Sequence, residues 1–207
     1  EEMLYGANRL VKDDATRQKW NETIAKQYPS DYRALNNLAQ QAISKGDVNA
    51  AESYLKQAAQ VSKNASEVNT NLALMSLKSG DVAKAETYLA KGSGSNTFKE
   101  VMGNLNIAKG NYTQAASDLA GVNTNSAALA QILAKDYTSA KTTLSKIKNA
   151  DATTSYLQAV LAARTGDASS LASSLKDAIQ KDPTLATRAA NDLEFAQFAS
   201  TIKNIVK

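Results

Sequence analysis

The sequence predicts an all-α protein built from repeated pairs of helices, and three observations support this fold class. Only two prolines occur in 207 residues, which favours uninterrupted helices. Apolar residues recur at helical spacing between regularly placed turns. The stretch Gly-Asp-Val-Asn-Ala-Ala-Glu-Ser-Tyr-Leu begins at Gly46, and altered copies of it begin at Gly80, Gly110, Lys135 and Gly166. A unit that recurs along most of the chain indicates a stacked array of helix pairs.

The first elements follow from capping residues and a proline. We expect a short helix over residues 1–13 and a second helix over 15–28. Asp14 is the expected N-cap of the second helix, because a carboxylate can accept from the free backbone N–H groups of the first turn. Pro29 ends this helix, since the residue before a proline is disfavoured in the helical conformation.

The repeated turns set the boundaries of the next elements. Gly46 is expected to adopt the left-handed conformation that ends a helix, and Asp47 is expected to cap the following one. The same alternation continues to the break at Pro183, after which one or two closing helices are expected over 184–206. The helices expected in between are 32–45, 48–63, 67–79, 82–91, 97–109, 112–120, 124–134, 137–148, 152–165 and 168–181.

Three places of the repeat carry its packing. The ninth place after the turn residue is leucine in every copy: Leu55, Leu89, Leu119, Leu144 and Leu175. The fifth place is alanine in four copies and leucine in the last: Ala51, Ala85, Ala115, Ala140 and Leu171. The place seven residues before the turn is small: Ala39, Ala73, Gly103, Ala128 and Ala159. Small residues let two helices cross closely, and the leucine closes the seam between neighbouring pairs.

Composition excludes several classes of function. The net charge is +4, but the lysines are spread along the chain, which argues against a nucleic-acid partner. There is no Cys and no His, so the commonest general base and metal ligands are missing. The carboxylate pairs Asp13/Asp14 and Asp192/Glu194 stand at helix ends, where acidic residues are ordinary caps. We therefore expect no catalytic site, no cofactor and no metal.

No apolar run approaches the roughly 20 residues that span a bilayer, so direct membrane insertion is not expected. The chain opens on Glu1-Glu2-Met3, without an initiator methionine or a signal-peptide pattern, and we therefore expect an excised domain or a processed form.

With turns 34 residues apart at 46 and 80, the small–turn–Ala–Leu pattern resembles the tetratricopeptide repeat (TPR). The resemblance covers nearly the whole chain as about six units. It implies a right-handed superhelical solenoid: a single domain over 1–207, with a degenerate first pair over 1–31, repeats over 32–183 and closing helices over 184–207. The chain departs from the family pattern in two ways. The usual large aromatic of the first helix is mostly lost, and the repeats from 80 to 135 are shortened, which we attribute to their second helices and loops.

A second, weaker resemblance links the opening residues and the tail to the repeat region of larger cell-envelope proteins of Gram-negative bacteria. It rests on Glu1-Glu-Met-Leu-Tyr…Val11-Lys-Asp-Asp and on Asp182-Pro-Thr-Leu-Ala…Asp192-Leu-Glu-Phe-Ala-Gln-Phe. It implies a periplasmic or outer-membrane-associated location.

The TPR resemblance also implies where a partner would bind. The concave face is formed mainly by the first helix of each pair, and amides there can donate to and accept from the backbone of an extended peptide. The expected partner-binding residues are Arg33, Asn36, Asn37, Gln40, Glu67, Thr70, Asn71, Leu74, Glu100 and Asn104. Asn37 and Asn71 stand where peptide-holding repeats often carry asparagine, and we expect Asn37, Gln40, Asn71 and Leu74 to face solvent. An alternative is that the asparagines bond their own loops.

The lysine and arginine clamp that some repeats use for the C-terminal carboxylate of heat-shock chaperones is not matched. Asn36 and Gln40 replace its first Lys and Asn, Thr97 and Val101 replace its second Lys and Arg, and only Asn71 survives. Two hypotheses therefore stand. One is a non-enzymatic domain that binds a protein or peptide segment on its concave face. The other is a structural spacer or assembly scaffold, which an apolar patch around Phe195, Phe198 and Ile205 would favour.

Overall fold

The computed structural model describes residues 12–207, and every regular element in that range is a helix. The all-α fold class is therefore confirmed. The helix expected over 1–13 lies outside the described residues except for Lys12 and Asp13, which are not helical. The elements are α1 Asp14–Gln27, α2 Tyr32–Lys45, α3 Val48–Val61, α4 Ser66–Lys78, α5 Val82–Leu89, α6 Asn96–Ala108, α7 Tyr112–Asp118, α8 Asn125–Leu133, α9 Tyr137–Ser145, α10 Ala152–Thr165, α11 Ala168–Lys181, α12 Leu185–Asn191, a 3₁₀ helix Leu193–Phe198 and α13 Ala199–Ile205.

Two expectations were wrong, one about the start of α1 and one about the helices after Pro183. The N-cap of α1 is Asp13 rather than Asp14: its carboxylate accepts from the backbone N–H of Thr16 at 2.9 Å, and Asp14 is the first helical residue. The segment 184–206 forms two short α-helices and a 3₁₀ helix, not one or two helices. The shortening of the middle repeats does fall on second helices, since α5 has 8 residues and α7 has 7, against 14 in α3.

The turn after α2 shows how one helix ends and the next begins. Gly46 has a φ of 75°, and the backbone N–H of Asp47 donates to the Ala42 carbonyl at 2.9 Å. The Asp47 carboxylate then accepts from the Ala50 backbone N–H at 3.1 Å and caps α3. Both expectations at this turn are confirmed. Lys135 takes the corresponding left-handed conformation with a φ of 63°, although it carries a Cβ.

We expect Lys135→Gly to stabilise the protein by about 1 kcal/mol, because a side chain in the left-handed region costs roughly this much and glycine does not. The matched control is Lys78→Gly, which places glycine in the last turn of α4 and should destabilise by a similar amount. Urea denaturation measures both changes. A loss of stability in Lys135→Gly would show that the left-handed turn is not strained.

The chain divides into two compact units, residues 1–105 and 106–207. In the first unit, α2 packs on α3 and α4 packs on α5, and the two first helices α2 and α4 also contact each other. Leu55 and Leu89 fill the seams, and Ala39 and Ala73 are fully buried where the helices cross. The expected packing roles are thus confirmed in this unit, while the single repeat domain over 1–207 stays a prediction.

In the second unit, α8 packs on α9 and α10 packs on α11. The seam leucines Leu119, Leu144 and Leu175 are buried, as the repeat pattern predicts. The 3₁₀ helix packs against α10, and Phe195 lies inside the largest apolar cluster of the unit. None of the helices between residues 12 and 207 is long and apolar enough to cross a bilayer.

Polar contacts fasten the 3₁₀ segment to α10. Arg164 donates to Glu194 at 2.9 and 2.5 Å and to the Ile132 carbonyl at 3.0 Å. The Tyr156 hydroxyl donates to Asp192 at 2.6 Å. Burial raises the pKa of Tyr156 well above its ordinary value, and Asp192 raises it further. The Asp192/Glu194 pair is therefore structural, because each carboxylate holds a side chain of α10.

Candidate functional site

A polar cavity of about 570 Å³ lies in the unit 1–105, beside α1, α2 and the first turn of α4. Among the described residues, its lining is rich in amides and charged groups, and Tyr32 supplies the single aromatic ring. Five of the expected partner-binding residues line it: Arg33, Asn36, Asn37, Gln40 and Glu67. The other described lining residues are Asp14, Arg17, Asn21, Tyr32, Gln41, Ser44 and Lys45.

The cavity runs along the neighbouring helices α1 and α2, and its two ends have different contacts. At one end, Gln41 Nε2 donates to the Asp14 carbonyl at 3.3 Å. Lys45 Nζ belongs to this end as well, since it donates to Gln18 Oε1 at 2.7 Å. In the middle, Asn37 Nδ2 lies 3.4 Å from Asn21 Oδ1, which it contacts as a long hydrogen bond. The first turn of α2, together with Glu67 of α4, forms the other end.

At that second end Arg33 is paired with Asp31, and Glu67 accepts from a hydroxyl. The Arg33 guanidinium donates to the Asp31 carboxylate at 2.6 and 3.0 Å, and these bonds lower the pKa of Asp31 below its ordinary value. The Tyr32 hydroxyl donates to Glu67 Oε2 at 3.3 Å. Burial raises the pKa of Tyr32, and the nearby Glu67 carboxylate raises it further. Tyr32 and Arg33 are thus fixed as a donor and a paired cation.

At the first end the cations are held more loosely. Arg17 Nη2 donates to the Lys12 carbonyl at 3.2 Å and lies 3.7 Å from Asp14 Oδ1. Its Nε is buried and has no hydrogen-bond partner within the described residues. Lys45 contacts a neutral amide oxygen. A bound group with an acceptor oxygen would give both cations a better partner than they have here.

The asparagines that were expected to face the groove do not all do so. Asn36 is 5% exposed, and Thr70 and Asn71 are each 2% exposed, so the expectation that Asn71 faces solvent was wrong. Asn71 Nδ2 instead donates to Asn36 Oδ1 at 2.8 Å. The cause is the direct contact between α2 and α4, which covers the residues between them. The two amides therefore hydrogen-bond to each other. They neither bond to their own loops nor face the solvent.

Replacing Asn71 alone should therefore destabilise the fold. We expect Asn71→Leu to cost about 2 kcal/mol, because it leaves the buried Asn36 amide unpaired. The double variant Asn36→Leu/Asn71→Leu should recover most of this loss, since two apolar groups can replace a buried polar pair. Chemical denaturation of the single and double variants measures the coupling. If the double variant lost the sum of the two single-variant free energies, the coupling between Asn36 and Asn71 would be contradicted.

The remaining expected residues lie elsewhere in the first unit. Leu74 is half-buried and packs against the cluster around Leu89, so it is not the solvent-facing residue that was expected. Thr70 donates to the Ser66 carbonyl at 2.8 Å. Glu100 and Asn104 are half-buried on α6 and do not line the cavity. Half of the expected set is thus brought together, and half is not.

Sequence reasoning missed the contribution of α1. Asp14, Arg17 and Asn21 all line the cavity, but α1 was assigned to the second helix of a degenerate pair and was not considered part of the groove. A signal was present, because these three polar residues have i, i+3, i+7 spacing and so share one helix face. Gln41, Ser44 and Lys45 extend the α2 face in the same way.

A second cavity of about 390 Å³ lies in the same unit and has a different character. Leu35, Leu38 and Tyr54 give it apolar walls, and Gln57 and Gln60 stand at its α3 side. Glu22 and Lys26 also line it, but its walls are more apolar than those of the first cavity, whose described lining residues are all polar. Within residues 12–207, no cluster of three or more acidic side chains could hold a metal ion.

The comparisons with known proteins agree with this architecture. The tetratricopeptide repeat family model matches residues 42–99. A chain in the crystal structure of the APC/C hetero-tetramer Cut9–Hcn1 superposes with a TM-score of 0.70 at 14% identity, over 91% of this chain and 39% of that one. A tetratricopeptide repeat protein from Parabacteroides merdae superposes with a TM-score of 0.60 at 12% identity, over 92% of this chain and 78% of that one. No curated protein matches the sequence. The recognition of tetratricopeptide repeats is confirmed for residues 42–99. At 14% and 12% identity, the two solved structures show the fold alone.

Proposed function

We propose, from the premise that residues 42–99 are a tetratricopeptide repeat segment and that the chain has the fold of such proteins, that it is a non-enzymatic protein-interaction domain. Its binding site is the polar cavity of the unit 1–105, and its ligand is an extended segment of a partner protein. The fold supports a role with protein partners in general. The polar cavity is the observation that supports peptide binding in particular.

The chemistry of the lining supports a peptide ligand. Asn37, Gln40 and Gln41 follow one face of α2, and each amide can donate and accept. An extended backbone presents N–H donors and C=O acceptors in alternation, so a row of amides can bind it with little dependence on the peptide sequence. Gln40 is exposed, and no hydrogen bond within the described residues occupies its side-chain amide. The lining on α2 runs from Tyr32 to Lys45 and so follows this helix from its first residue to its last.

The scaffold hypothesis receives less support. It would be favoured by an apolar patch around Phe195, Phe198 and Ile205. Phe195 is buried, and Phe198 and Ile205 pack against the apolar cluster of the second unit. The tail thus covers apolar surface rather than presenting it, apart from Leu193. A bacterial cell-envelope setting and a periplasmic or outer-membrane location stay predictions.

A peptide library tests the proposal. Peptides selected on the full chain from a random library are resynthesised, and their affinities are measured by fluorescence anisotropy. We expect Asn37→Ala/Gln40→Ala to bind at least tenfold more weakly, because two hydrogen bonds of about 1 kcal/mol each are lost. The matched control Gln57→Ala/Gln60→Ala removes two amides from the second cavity and should bind within twofold of wild type.

Circular dichroism checks that both variants stay folded. Weaker binding by the control variant alone would move the ligand to the second cavity and contradict the proposal. Failure to select any peptide would contradict peptide binding altogether.

A further inference from the structure

The two ends of the polar cavity carry opposite charge. Among the described side chains of the first end, Arg17 and Lys45 outweigh Asp14. At the second end, Arg33 is already paired with Asp31, a residue outside the lining, whereas the Glu67 carboxylate lines the cavity and accepts only from the Tyr32 hydroxyl among the described residues. The middle of the cavity holds neutral amides. A ligand that lies along the cavity therefore meets Arg17 and Lys45 at one end and the Glu67 carboxylate at the other.

We propose that the cavity selects peptide segments that carry one acidic and one basic side chain at a fixed separation. This inference rests on the proposed function and names the chemistry of its ligand. The acidic side chain lies beside Arg17 and Lys45, where the buried Arg17 Nε lacks a partner and Lys45 contacts only an amide. The basic side chain lies beside Glu67, which accepts a hydrogen bond from the Tyr32 hydroxyl and has no cationic partner among the described residues.

The helix geometry sets the separation. Arg33 and Lys45 mark the two ends on α2. They are 12 positions apart, which corresponds to about 18 Å along a helix axis that rises about 1.5 Å per residue. An extended peptide advances about 3.3 Å per residue, so the same distance requires about five to six residues. A ligand with adjacent opposite charges would reach only one end. Because the cavity contacts the two charged side chains, a peptide can present them in either backbone direction, so either order of the two charges satisfies the inference.

The probes are acetylated and amidated peptides of one length, so that only side chains carry charge. Two have Asp and Lys six residues apart, in the two possible orders, within an Ala/Asn background; the even spacing places both side chains on one face of an extended chain. The others carry two Asp, two Lys, or adjacent Asp and Lys. We expect at least one of the spaced mixed peptides to bind wild type about fivefold more tightly than every like-charge peptide, which is the scale of an exposed ion pair.

Charge-reversal variants make the test sharper. Lys45→Glu makes both ends negative and should shift the preference to the two-Lys peptide. Glu67→Lys makes both ends positive and should shift it to the two-Asp peptide. The double variant Lys45→Glu/Glu67→Lys should again prefer a spaced mixed peptide. Lys84→Glu is the control, since it changes the net charge equally at an exposed position of α5 and should leave the preference unchanged.

The inference is supported if wild type prefers a spaced mixed peptide and the charge-reversal variants change their preferred peptide as expected. Equal binding of all probes, or a shift in Lys84→Glu of the same size as in Lys45→Glu, overturns the charge selection but leaves peptide binding intact. If no probe binds while a library peptide still binds and depends on Asn37 and Gln40, the inference is also overturned. If neither probes nor library peptides bind, the proposed function itself fails.

Discussion

Phe195→Ala should lower the free energy of unfolding by about 4 kcal/mol, which is the usual cost of emptying a fully packed aromatic site. Phe195 is 2% exposed and meets the ring of Tyr156 edge-on, with centroids 5.6 Å apart at an angle of 61°. The Tyr156 ring is covered in turn by the Arg188 guanidinium, 4.9 Å from its centroid. Removing the phenyl group should therefore loosen the packing of the 3₁₀ segment on α10. Urea denaturation followed by circular dichroism measures the loss.

The control for this prediction is a substitution at Leu193, two residues before Phe195. Leu193 is in the same 3₁₀ helix but is 88% exposed, so Leu193→Ala should change the stability by no more than about 0.5 kcal/mol. Similar losses in the two variants would show that the segment is stabilised by its backbone rather than by the anchor at Phe195.

Leu55→Ala should cost about 3 kcal/mol, because it opens a cavity in the seam that the ninth place of the repeat fills. Leu55 is fully buried in the cluster that includes Ala39 and Val68. The control is Val48→Ala in the same helix, where the side chain is 53% exposed and the expected change is within about 0.5 kcal/mol. Equal costs would contradict the seam role that the repeat pattern assigns to leucine.

The packing of this protein could be predicted because it depends on local patterns. One place of the repeat is leucine in every copy, and another is small in every copy. Such recurrence indicates that each repeat makes the same packing contacts. Leu55, Ala39 and Ala51 are all fully buried, as that reasoning requires. The glycine turns were predictable for a similar reason, since left-handed backbone favours glycine. Lys135 shows that the geometry persists even where the preferred residue is absent.

The candidate site was harder to predict because its geometry depends on how neighbouring helices cover one another. Asn36 and Asn71 are 35 positions apart, and nothing in either local sequence indicates that one amide would donate to the other. An amide suited to holding a peptide is equally suited to holding a second amide. The contribution of Asn21 and Arg17 was missed for a related reason: the repeat pattern is degenerate at α1, so the family resemblance did not place this helix at the groove.

The ends of the chain were also predicted imperfectly. Past Pro183 the repeat period stops, and no pattern remains that could separate one long helix from several short ones. The break at Asp192 comes from its side chain, which accepts from the Glu194 backbone N–H and from the Tyr156 hydroxyl. Such a contact depends on tertiary structure and is invisible to helical periodicity.

The measurement that tests the central claim most directly is an NMR titration of the full chain with a library-selected peptide. The side-chain amide signals of Asn37, Gln40 and Gln41 report on the polar cavity, and those of Gln57 and Gln60 report on the second cavity. If the polar cavity binds the peptide, the first three signals shift with the peptide concentration and the other two stay in place. Shifts confined to Gln57 and Gln60, with the polar-cavity amides unmoved, would contradict the account.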